Sequence, residues 1–134
     1  MTYHVAELDE DNAVMRVVVV DLGKWEDDLD QMDQIATEMC DRLVGVGRWR
    51  VTSYEGAFRR RYASPGMTYD ELLDAFVLPQ PHPSWVRDLE SEEDWSAPVP
   101  LPTDETKTYT WNEKLMQWDA LDIPERPAVE TLGN

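Results

Sequence analysis

Cysteine is all but missing: Cys40 is the only one in 134 residues, so no intramolecular disulfide framework can form. Its place on an apolar stripe at helical spacing makes it a packed thiol rather than a reactive one. Histidine is scarce as well, with two in the chain, His4 in an expected strand and His82 between two prolines. Neither has a serine, cysteine or acid placed by a recognisable motif to complete a triad. Phosphate loops, dinucleotide fingerprints and zinc spacings do not occur. The "DEDN" of residues 9–12 lacks the glycine and the distal glutamate of a calcium loop, so it reads as a solvated hairpin turn. The expectation is a chain with no catalytic residue, no cofactor and no metal.

Positive charge is the next shortage. Twelve basic residues face 28 acidic ones, for a net charge of −16. That balance repels phosphate backbones and argues against nucleic acid as a partner. No apolar run approaches the length of a membrane span, and "MTYHVAELDE" lacks the basic-then-apolar order of a signal peptide. The chain therefore reads as soluble, made in a reducing cytoplasm and without a membrane partner.

What is present divides into two regions. "YHVAEL" and "AVMRVVVVD" flank a turn and predict a β-hairpin, and the four valines Val17–Val20 suggest a strand covered on both faces. From Asp28 to Val44 the apolar residues recur at helical spacing, with Asp30, Asp33, Glu38 and Asp41 expected outward. Asp27 or Asp28 suits the N-cap, and Gly45 the stop. "RWRVTSY" alternates as a strand. "TYDELLDAF" carries a capping-box pattern, Thr68 before Glu71, and predicts a second short helix. The fold class expected is α+β: a small antiparallel sheet with one main amphipathic helix, forming a body over residues 1–78.

Six of the nine prolines lie between residues 79 and 102, which predicts an extended Pro-rich arm over residues 79–134. At about 3.1 Å per residue, a drawn-out segment from Pro79 to Thr108 would span on the order of 90 Å. Two Trp hairpins are expected along it, "SWVRDLESEEDWSA" with Trp85 and Trp95, and "YTWNEKLMQWDAL" with Tyr109, Trp111 and Trp118. An indole buries roughly 150–250 Å², more than a lone hairpin can take from water. Either these segments fold back on residues 1–78 or they dock on another protein. Arg59, Arg60 and Arg61 belong to a run in which arginine alternates with aromatics; arginine suits a paired, partly dehydrated interface with acidic segments, internal or intersubunit. The candidate partner-binding residues are thus Trp85, Trp95, Trp111, Trp118, Tyr109, Arg59, Arg60 and Arg61.

Taken in order, "VAELDEDNAVMRVVVVD", "CDRLVGVGRWRVTSYEGAFRRRYASPGMTYDELLDAFV" and "PQPHPSWV…DWSAPVPLPTD…YTWNEKLMQW" resemble small virion structural proteins of tailed bacteriophages infecting marine cyanobacteria and related bacteria. The similarity runs from residue 3 to about residue 118, and its specificity lies in the order of the phrases. What the resemblance implies is a non-enzymatic component of the virion. Such a component binds larger virion subunits, either major capsid or tail proteins, in many copies per particle. A capsid decoration or cement role is the leading expectation. A tail, neck or baseplate accessory is the alternative. A cytoplasmic acidic module, such as an assembly chaperone or a host-directed inhibitor, is the rival class.

Overall fold

The computed structural model describes residues 2–25 and 27–122. The chain divides between Pro79 and Gln80 into two compact units. The first contains β1 (Thr2–Leu8), β2 (Val14–Asp21), α1 (Leu29–Leu43), β3 (Arg48–Thr52), β4 (Thr68–Asp70) and β5 (Ala75–Val77). Strands β2 and β3 both pair antiparallel with β1, which takes the centre of the sheet. The turn between β1 and β2 is closed by the Asp9 carboxylate, which accepts from the amides of Asp11 and Ala13 at 2.8 and 2.9 Å. Asn12 takes the left-handed conformation there, with φ 65°, a place that asparagine tolerates.

Alternation along the strands sends side chains to two layers. Val5, Val51, Val18 and Val20 join Trp49 and the helix residues Met32, Ala36 and Cys40 in one core. Ala6, Leu8, Val14 and Val17 join Ala63, Tyr69 and Phe76 in a second core on the opposite face. Each large apolar side chain so enclosed contributes about 1.5–3 kcal/mol. The helix begins at Asp28, whose carboxylate accepts from the amides of Asp30 and Gln31. It ends where Val44 and Gly45 both donate to the Cys40 carbonyl. Cys40 is fully buried, and burial first, then the charges of Asp41 and Glu7, push its thiol pKa up. That is the behaviour of a packed thiol.

Three expectations are corrected in this unit. The segment "TYDELLDAF" is not a helix; it is the β4–β5 hairpin. The Asp70 carboxylate accepts from the amides of Leu72 and Leu73 and closes the turn, while Tyr69 and Phe76 enter the core. A helix would have placed Leu72 and Leu73 along an apolar stripe; instead Leu72 is 98% exposed. The valine run is not covered throughout either, because β2 is an edge strand and Val19 lies half in solvent. Asp33, expected outward, is buried.

The second unit carries β6 (Val86–Arg87), β7 (Trp95–Ser96), β8 (Lys107–Asn112) and β9 (Gln117–Asp122), as two separate antiparallel pairs. With small antiparallel sheets and a single helix among the described residues, the protein is of the α+β class.

Candidate partner-binding site

Strands β8 and β9 place Trp111 directly opposite Trp118, and Tyr109 opposite Ala120. Residues opposed across a ladder share one face, so both indoles rise from the same side of the hairpin. The turn between them, Glu113 to Met116, is held by Asn112, whose side-chain oxygen accepts from the Leu115 amide at 2.9 Å, and by a left-handed Met116. Trp85, from the segment before β6, completes the cluster. Its ring centre lies 6.1 Å from that of Trp111 and 5.9 Å from that of Trp118, edge to face in both cases. Edge-to-face contacts set the positive rim of one ring against the negative face of the next, worth about 0.5–1.5 kcal/mol each beyond the area they bury.

Polar contacts hold this cluster closed. The Glu113 carboxylate accepts from the Trp111 indole at 2.8 Å, from the Ser84 hydroxyl at 2.6 Å and from the Ser84 amide at 3.1 Å. The hydrogen bonds from Ser84 and Trp111 hold the Glu113 carboxyl below its usual pKa. Trp118 donates from its indole to the Val99 carbonyl at 2.9 Å. That bond lays the "PVPLP" stretch along the hairpin, where proline, having no amide proton to satisfy, is at no disadvantage. These ties join residues 29 and 19 positions apart, so the described part of the proline-rich region is folded back on itself and does not adopt the long reach of a drawn-out arm.

Trp95 stands outside the three-ring cluster. The Arg87 guanidinium lies over its face, 4.7 Å from the ring centre. The loop from Asp88 to Asp94 is tied to itself. The Asp88 amide donates to the Asp94 carbonyl, and the Asp88 carboxylate accepts from the Ser96 hydroxyl. That hydroxyl first, then the Glu90 amide, lowers the Asp88 pKa. Between this loop and the hairpin runs a groove of about 510 Å³, walled by Trp85, Trp95 and Trp118 with Val99, Pro100 and Leu101, and lipped by Glu92 and Glu93. Leu101 is 58% exposed and Val99 41%. The groove can take an apolar side chain against rigid rings, in the manner of an interface anchor.

The four tryptophans named from the sequence therefore meet in one unit: three form a cluster, and Trp95 faces the same groove. Tyr109 is half-buried on β8. The arginines are placed differently. Arg59 is an internal residue, its side chain 1% exposed. It grips Asp33 in a two-pronged pair at 2.8 and 2.7 Å, donates to Asp74 at 2.7 Å and to the Val51 carbonyl at 3.0 Å. Arg61 donates to the Phe76 carbonyl, and Arg60 is exposed in the same loop. Burial is the largest single influence and works against a charged Arg59, but the bonds to Asp33 and its charge, with Tyr69 and Asp74, together outweigh it and raise the pKa. Tyr69 hydrogen-bonds Asp74; burial first, then that bond, push the phenol up to about 12. This network joins helix, sheet and β4–β5 hairpin, and its charges are matched within the chain.

Asp33, expected outward, does carry a signal in the sequence: it precedes Ala36 by three and Cys40 by seven, on the buried side of the helix. Glu113 and the Val99 carbonyl had no such signal, since each acts across a long loop. Among the described residues no group of three His, Cys, Asp or Glu is placed to hold a metal ion, and no helix is long and apolar enough to cross a membrane. Compared with family models, with curated proteins and with solved structures, the chain finds no match.

Proposed function

We propose that the protein is a non-enzymatic structural component of a tailed-phage particle that binds larger virion subunits through its second unit, as a decoration or cement protein of the capsid. The observation that carries the binding reading is the groove in which three indoles meet exposed aliphatic side chains. Of these indoles Trp118 is fixed by cross-strand packing against Trp111 and by its bond to the Val99 carbonyl, so it loses little freedom on docking. Exposed apolar surface beside such anchors marks a contact site. The phage assignment rests on the ordered phrases of the sequence. The acidic exterior keeps the free chain soluble and away from packaged nucleic acid.

Quantitative mass spectrometry of washed particles, followed by separation into heads and tails, tests this reading. Many copies in the head fraction support it. Copies confined to tails move the protein to the tail, neck or baseplate. None in the particle removes the virion reading in favour of a cytoplasmic acidic module.

A further inference from the structure

We propose that the occupant of the indole groove is a protein segment carrying arginine beside proline or aliphatic residues. This rests on the binding reading above and names the chemistry of the partner.

The second unit states the preference in its own contacts. The Arg87 guanidinium lies over the Trp95 ring, 4.7 Å from its centre, so a guanidinium over an indole is already an arrangement this surface makes. Trp85 and Trp118 line the same groove, and such rings attract a cation through their negative faces. Among the described residues, the charged side chains lining it are the carboxylates of Glu92 and Glu93. Neutral aromatic anchors alone would suit any apolar segment. The carboxylate lip beside the rings selects one that also carries positive charge.

The surrounding charge points the same way. Residues 80–122 hold ten acids (Asp88, Glu90, Glu92, Glu93, Asp94, Asp104, Glu105, Glu113, Asp119, Asp122) against three bases (Arg87, Lys107, Lys114), a balance of 3 − 10 = −7. Arginine fits better than lysine, because its planar head both stacks on a ring and pairs with a carboxylate in the same plane. The flanking apolar residues of the segment would cover Leu101 and Val99, which solvent now reaches.

The test uses the full chain and two synthetic peptides. One alternates proline, leucine and arginine; its twin has citrulline at each arginine, the same shape without the charge. Indole N–H resonances are followed by NMR during titration. The arginine peptide is expected to shift Trp85, Trp95 and Trp118 and to bind roughly tenfold or more tightly than its twin. Glu92→Gln with Glu93→Gln weakens the arginine peptide roughly threefold to tenfold, as exposed ion pairs do, and leaves the twin unchanged. Equal affinity for both peptides overturns the inference, as do shifts confined to Trp25 and Trp49 of the first unit. Self-association that shifts the groove indoles without peptide also overturns it, in favour of a second copy. If the peptide fails while the protein is still found in particles, only the arginine inference falls. Absence from particles strikes the virion reading and not this one.

Discussion

Trp111 and Trp118 face each other across the β8–β9 ladder with ring centres 5.2 Å apart and planes at 71°. Trp85 arrives from a segment more than twenty residues earlier and closes a three-ring cluster on that pair. A two-strand hairpin in water is marginal on its own. Here the rings of one segment supply the surface against which the other buries its own.

The first consequence is for Trp111, which is 8% exposed. Trp111→Ala should destabilise the second unit by about 3–5 kcal/mol, the usual cost of removing a buried large aromatic. Trp111→Phe should recover part of that loss. Near-UV circular dichroism during urea unfolding reads the effect. With Trp118→Ala added, the body stays folded while incorporation into particles falls. An unaltered copy number in the double variant counts against the proposed role.

Asp33 gives a second test, in the first unit. Its removal leaves the Arg59 guanidinium buried beside one remaining carboxylate, Asp74, which is half-exposed. Asp33→Ala should therefore cost about 3–5 kcal/mol, the range for breaking a buried pair, because Arg59 keeps only a half-exposed partner. Asp33→Ala combined with Arg59→Met should cost less than the sum of the two single changes, since the under-compensated buried charge has gone. Thermal or urea unfolding of the four proteins completes the cycle. Simple additivity would show that the pair is not coupled.

These two cases mark where the sequence is legible. The hairpin of β1 and β2, the helix from Leu29 to Leu43 and the strand at Arg48 follow from local periodicity and caps, and the structure has them. "TYDELLDAF" misled because its capping box and leucines satisfy a helical pattern locally, whereas Tyr69 and Phe76 gain more by entering the core as strand residues. The alternation of arginine with aromatics marks Arg59 for a paired, partly dehydrated contact but leaves open whether it is internal or intersubunit; its partner Asp33 lies 26 positions away, beyond the reach of local pattern. The indoles were picked out from the sequence, but the cluster was not, since spacing within each segment says nothing about a segment twenty residues off. Bonds made by a carbonyl, such as Val99 to Trp118, leave no trace in residue type.

Tyr69 provides a test at alkaline pH. Its folded-state pKa, raised to about 12, stands above the roughly 10 of an unfolded phenol. A raised pKa means that the folded state disfavours ionisation, so this contribution to stability is complete below about pH 10 and is lost as pH rises toward 12. Tyr69→Phe lowers stability at neutral pH through the lost bond to Asp74, yet its stability should fall less steeply between those limits. Unfolding free energies measured across the range decide the matter; parallel curves for the two proteins would show that Tyr69 does not carry the transition.

Glu113 supplies the corresponding test on the acid side. Bonds from Ser84 and Trp111 lower its pKa, so the folded second unit favours the carboxylate. The sign is opposite to that of Tyr69: the contribution is present above the usual carboxylate pKa and disappears as pH falls through the lowered one. Asp88, Asp104 and Asp119 are lowered in the same way by hydrogen bonds within the unit, from Ser96, Thr106 and Gln117 first in each case. Acidification should therefore loosen the indole cluster and shift tryptophan emission to longer wavelength. Glu113→Gln can keep, through one carbonyl oxygen, the bonds from the Trp111 indole and the Ser84 hydroxyl, but it loses the acceptor for the Ser84 amide and has no charge to titrate. In that variant the emission at neutral pH should already lie part of the way toward the acid value, and the remaining acid shift should be smaller. An identical acid titration in the variant and the parent would mean that the Ser84–Glu113–Trp111 tie does not hold the rings together.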